Sequence, residues 1–140
     1  MRFELVSPER RLASTDDATA VRIPGADGDM TAMADHAPTI TSLRPGILTV
    51  ETPSGEERYA VTGGFAEIGE GVTVLAERSM AASDLDQGTY DQWVTEAREA
   101  RDAARDRDDA DGGVDAAAKL LADMVAMGGE IGLDSNQANL

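Results

Sequence analysis

The sequence predicts an α+β chain of two domains: an antiparallel β-sandwich over residues 1–82, then an antiparallel two-helix hairpin over 83–140 that ends in a loose tail. Three observations carry this. Up to residue 82 the apolar residues come in short alternating runs cut by Gly, Pro and Asp, the spacing of an antiparallel sandwich or barrel. Beyond it they recur at helical intervals with charged residues between them. The charge density also changes there: residues 1–82 carry 7 basic and 13 acidic side chains, residues 83–140 carry 5 and 14.

In order, Phe3 and Leu5 alternate with Arg2 and Glu4, and Val21 and Ile23 flank Arg22 before Pro24-Gly25 ends that run. GILTVET runs into PSGEE, the signal of a hairpin turn. Tyr59 and Val61 lead to Gly63-Gly64, then Phe65 and Ile68, a GEG turn, and VTVLAER. No helical segment separates these runs, which argues against a parallel α/β sheet. Ser83, with Asp86 three residues on, is a capping-box-like helix start. Leu85, Tyr90, Trp93, Val94, Ala97, Ala100 and Ala104 make one face of the first helix, with Asp102 and Arg105 at ion-pair spacing on the other. Asp111-Gly112-Gly113 breaks it; Val114, Ala117, Leu121, Met124 and Val125 form the second, which the glycines at 128 end.

Composition excludes several functions. A net charge of −15 cannot displace the counterions of a phosphate backbone, so nucleic acid is not a partner, and anionic membrane surfaces are disfavoured for the same reason. Without cysteine there is no disulfide, thiolate zinc site or thiol nucleophile. No apolar run is long enough to span a bilayer, and the N-terminus lacks a signal-peptide core, so a soluble chain is expected.

Catalytic motifs fail one by one. The only lysine, Lys119, is followed by Leu120, so no phosphate-binding GxxxxGK[ST] loop exists. GEGVTV lacks the third glycine of a dinucleotide turn, and there is no GxSxG elbow. The most chemically varied stretch, GADGDMTAMADHAPTITSLRPG at 25–46, holds the single histidine, His36. As a calcium loop starting at Asp27 it would need Gly and Glu where Ala32 and Pro38 stand. His36 alone, among aspartates, is a poor zinc donor set. The abundant carboxylates read as solvated surface. No metal, cofactor or catalytic residue is expected.

Taken together, FELVSPERRLAS, VRIPGADGDMTAMADHAPTITSLRPGILTV, YAVTGGFAEIGEGVTVLAE and the following DLD with its helical hairpin resemble the epsilon subunit of rotary F-type ATP synthases. The similarity covers residues 3 to about 86; over the hairpin it is one of architecture. The resemblance implies a ten-stranded sandwich and a helical hairpin in a non-catalytic rotor subunit. Its sandwich grips the gamma subunit and sits on the polar loops of the c-ring, at the cytoplasmic face of the bacterial inner membrane. It places Asp29 where the family has an acidic residue facing those loops, with Met30 beside it and His36 in the HAP motif; these are the expected c-ring or gamma contacts. Exposed Met30 and Met33 suit an adaptable surface. His36-Ala37-Pro38 also reads as a structural turn, and both readings stay open.

The hairpin departs from the family. In the ATP-binding pattern LDxxRA, Leu85-Asp86 match, but Thr89 stands at the arginine and Tyr90 at the alanine, so a triphosphate loses its bidentate partner and no ATP binding is expected. Family members that block hydrolysis by contact with the catalytic alpha and beta subunits use basic residues on the second helix; here Lys119 stands against Asp115 and Asp123. The arginines of the first helix, Arg98, Arg101, Arg105 and Arg107, are interleaved with acids. A detachable hairpin with weak inhibitory capacity is expected, and inhibition through these helices is the alternative function.

Overall fold

The computed structural model describes residues 1–34, 36–106 and 113–133. The chain forms two compact units that divide after Asp84. The first contains strands β1 (Phe3–Ser7), β2 (Arg10–Thr15), β3 (Ala20–Gly25), β4 (Gly28–Ala32), β5 (Thr39–Leu43), β6 (Gly46–Thr52), β7 (Gly55–Val61), β8 (Gly64–Ile68), β9 (Val72–Ala76) and β10 (Ser79–Ala81). The second contains helices α1 (Gln87–Asp106) and α2 (Gly113–Glu130).

Neighbouring strands run in the order β10-β7-β6-β3-β5-β8-β9-β1-β2, with β4 added to β3. The expected hairpin at PSGEE is present: Thr52 pairs with Gly55 across a two-residue turn, and Ser54 N–H donates to Thr52 Oγ1 at 3.2 Å. The core is built from alternating residues of both layers, including Phe3, Leu5, Val21, Ile23, Leu48, Val50, Val61 and Val74. β6 is buried from Gly46 to Val50, as a strand covered on both faces should be.

Two strand expectations are corrected. The sheet is not wholly antiparallel, because β1 lies parallel to β9, with Phe3 beside Val72 and Leu5 beside Val74. Those strands are far apart in sequence, so no tight turn constrains their direction. Pro24-Gly25 does not end the run but completes β3. β3 pairs with β6 from Ala20 to Arg22 and with β5 at Gly25, so Pro24 and its missing N–H fall where the partner changes.

Gly64 has a specific reason. Its φ is +123°, and a Cβ there would lie 1.9 Å from the Leu75 carbonyl oxygen, so only glycine lets β8 come this close to β9.

The hairpin begins later than expected. Ala82–Asp84 form a short 3-10 turn, and the cap is Asp86 rather than Ser83. Asp86 Oδ1 accepts the Thr89 amide at 2.7 Å, the N-cap to N3 bond, and this bond holds the carboxyl below its usual range. Tyr90, Trp93, Val94, Ala97 and Ala104 are buried on α1, but Ala100 is exposed. Leu121, Met124, Met127 and Gly128 are buried on α2. Asp102 pairs with its neighbour Arg101 at 2.9 Å and not with Arg105. Asp111 and Gly112, where the helix break was expected, and the tail from residue 134 lie outside the described residues.

Nor do the glycines at 128 end α2. Gly128 sits in the helix because Tyr90 packs against it: an added Cβ would lie 2.2 Å from the ring. The Tyr90 hydroxyl reaches the carbonyls of Met124 and Val125 at 3.3 and 3.2 Å. The helix ends two residues later, at Glu130, in a Schellman motif. Leu133 N–H donates to Gly128 O at 2.8 Å and Gly132, at φ +78°, donates to Gly129 O at 3.4 Å.

Two adjacent glycines should therefore respond oppositely to alanine. Gly128→Ala forces Tyr90 out of place and should lower hairpin stability by about 1–2 kcal/mol, overpacking outweighing the helix propensity gained. Gly129 has nothing within 4 Å of its would-be Cβ, so Gly129→Ala should raise stability by up to about 1 kcal/mol. Urea unfolding followed by helical circular dichroism checks both; equal shifts would discard the Tyr90–Gly128 contact as the reason for the glycine.

Candidate docking surface

The 25–46 stretch resolves into the β3–β4 turn, β4, Met33 and Ala34, the segment 36–38, β5, and the Arg44-Pro45 corner into β6. Asp29 lies on β4 opposite Pro24, with its side chain 60% exposed, and is ion-paired with Arg44. Arg44 is the less exposed partner, and its Nη1 also donates to the Gly25 carbonyl at 2.6 Å. Two backbone bonds close the same corner: Arg44 N–H to Pro24 O at 3.0 Å and Ala26 N–H to Ser42 O at 2.8 Å.

Met30 alternates with Asp29 and is half-buried against the core opposite Ile23, whereas Met33 is 57% exposed. Of the two methionines, Met33 is the one available at the surface. His36 is half-buried; its amide donates to Met33 O at 3.2 Å, and Nδ1 donates to Ala37 O at 2.7 Å. Thr39 Oγ1 donates to the same Ala37 oxygen at 3.1 Å, so His36 takes part in a turn held by local bonds. Asp29, Met30 and His36 thus lie within one hairpin and its following loop, without a shared bond among them. Asp35 lies outside the described residues. Among the described residues no group of three or more His, Asp or Glu side chains is placed to hold a metal ion.

A second feature was missed from the sequence. Phe65 on β8 and Leu75 on β9 are cross-strand partners and are 56% and 50% exposed. The row extends to Val6 on β1, which pairs with Leu75. Together with Pro8 they line a shallow groove of about 490 Å³. Ile40 on β5 is exposed as well, one row along, opposite Glu67. The signal was present in the phase of GFAEI. Phe65 is three residues from Ile68, so on a strand it must face the other way, and Ala66 and Ile68 are the buried pair.

On the hairpin, Thr89 and Tyr90 serve the unit's own structure, one in the Asp86 cap and the other against Gly128. Lys119 is paired with Asp123 at 2.6 Å. Arg107 lies outside the described residues. Among the described residues no helix is long and apolar enough to cross a membrane.

Residues 1–82 match the family model for the beta-sandwich domain of the ATP synthase delta/epsilon chain. The chain is 54% identical to the ATP synthase epsilon chain of Rhodobacter capsulatus over 134 residues, spanning 95% of this chain and 97% of that one. It is 52% identical to the epsilon chain of Paracoccus denitrificans over 142 residues, spanning 99% and 95%. A chain in the Euglena gracilis mitochondrial ATP synthase structure (OSCP, F1 and c-ring) shares the fold, with a TM-score of 0.63 and 22% identity over 86% of this chain and 74% of that one. A chain from the central stalk and c-ring of the Tetrahymena thermophila enzyme does so with a TM-score of 0.51 and 16% identity, over 60% and 68%. With close identity along nearly the whole length and the sandwich model matched from the first residue, the chain belongs to the ATP synthase epsilon chain family.

Proposed function

We propose that the chain is a non-catalytic rotor subunit of an F-type ATP synthase, joining the gamma subunit to the c-ring at the cytoplasmic face of the bacterial inner membrane. Membership of the epsilon family and structural relatives from central-stalk and c-ring assemblies support the assignment. The observation that carries the mechanism is the outward apolar row of Phe65 and Leu75 on strands bonded along both edges. A torque-bearing joint needs a surface that does not yield, and a hydrogen-bonded sheet supplies one. Burying the exposed half of each of these side chains against gamma contributes about 1–1.5 kcal/mol. The Asp29 edge, with Met33 and His36 nearby, then faces the polar loops of the ring. The chain takes part in no bond-making step; it keeps shaft and ring turning together.

The inhibitory alternative draws less support. The one lysine of α2 is already neutralised by Asp123, and Arg101 by Asp102. These helices therefore have little unbalanced positive charge to set against acidic segments of the catalytic subunits.

Two measurements test the reading. Titration into isolated gamma should give one-to-one binding, and Phe65→Ser should weaken it about tenfold with the circular dichroism unchanged. An unaltered Kd would take the β8–β9 face out of the interface. Deleting residues 84–140 should leave that binding intact and the ATP hydrolysis rate of the assembled enzyme nearly unchanged. A several-fold rise in hydrolysis would restore the inhibitory reading.

A further inference from the structure

We infer that Arg44 is the positioning residue of the Asp29 edge: it locks the β3–β4 turn to the β5–β6 corner and aims the Asp29 carboxylate outward. This rests on the docking role proposed for that edge. Among the described residues β4 pairs only with β3, and no other strand lies along its outer edge. Arg44 supplies support from the side. Its guanidinium reaches two acceptors on two segments, the Gly25 carbonyl through Nη1 and Asp29 Oδ1 through Nη2. Its own amide is bonded to Pro24 O at 3.0 Å, so the side chain starts from a fixed point.

The exposure is asymmetric: the Arg44 side chain is 23% exposed and that of Asp29 60%. The cation lies beneath and the anion above. With Oδ1 held by Arg44, the carboxylate turns its remaining acceptor capacity to solvent, where a hydroxyl, amide or cation of a partner's polar loop can donate to it. The pair is neutral as a whole, so what the edge offers is an oriented acceptor and not a net charge. Arginine suits this because its planar fork satisfies two acceptors at set angles, which an ammonium does not.

The test uses the full chain with Arg44→Met, Arg44→Lys, Asp29→Asn and the double variant Asp29→Asn/Arg44→Met. Amide hydrogen exchange on the free chain reads the lock, and binding to a detergent-solubilised gamma–c-ring subcomplex reads the docking. Arg44→Met should speed exchange at the amides of residues 26 and 44, which are bonded to Ser42 O and Pro24 O, by about tenfold or more, with the β6–β7 amides unchanged. Arg44→Met and Asp29→Asn should each weaken binding about tenfold, and the double variant should be no weaker than either single one, because both act through one carboxylate. Arg44→Met should also steepen the salt dependence of binding, since Asp29 is then an uncompensated charge; a merely structural role would not change that slope. Wild-type binding by Arg44→Lys would show that charge alone suffices and would overturn the proposal. So would unchanged exchange in Arg44→Met, or additive losses in the double variant. If Asp29→Asn binds normally, the docking role of Asp29 fails, and the aiming role of Arg44 fails with it. Weakened Asp29→Asn beside normal Arg44→Met would remove only the role of Arg44.

Discussion

The sandwich depends on one strand changing partner. β3 is bonded to β4 on one edge, and on the other it passes from β6 to β5 within a few residues. Both layers of the sheet are continuous through it, and the shared core lies between them. A strand that changes partner leaves a gap in its ladder. Here proline occupies the gap, and the neighbouring corner packs onto it. A Cβ on Gly46 would lie 2.6 Å from the Pro24 Cβ, and one on Gly25 would lie 2.6 Å from the Gly28 carbonyl oxygen. Gly46 and Pro24 are therefore halves of one close contact between the two corners, and Arg44 bonds across it to Pro24, Gly25 and Asp29.

That arrangement draws on the chemically varied 25–46 stretch. Its polar groups are occupied in holding shape: Arg44 on Gly25 and Asp29, Ala26 on Ser42, His36 and Thr39 on Ala37. At the surface of the stretch stand the carboxylates of Asp27 and Asp29 and the apolar side chains of Met33 and Ile40.

The division into sheet and helices was legible because hydrophobic period is a local property: Phe3 to Leu5 and VTVLA alternate, and Tyr90, Trp93, Val94 and Ala97 do not. The misreadings came where a distant residue decided the outcome. Gly128 looked like a helix end because glycine usually is one, but it is in the helix to admit a tyrosine from 38 positions earlier. Ser83 and Asp86 are both good caps, and local sequence could not choose between them. The Asp29–Arg44 pair spans 15 residues and depends on the β3–β5 contact, which no periodicity encodes. The apolar row is encoded locally, since Phe65 stands three residues from Ile68 and so faces the other way on a strand.

The chain's acidity sharpens the question of how it holds a partner at all. A net charge of −15 repels any anionic surface and is screened within about 8 Å at physiological salt, so it gives solubility without selecting a partner. The two surface features singled out here avoid that charge by different means. Phe65 and Leu75 present apolar area, whose attraction is indifferent to sign. Asp29 is an acid whose charge is balanced by the arginine beneath it. In the proposed rotor role such contacts suit an acidic chain, because neither weakens greatly with ionic strength. The uncompensated carboxylates can then lie elsewhere on the surface, where they keep the free chain apart from its own copies.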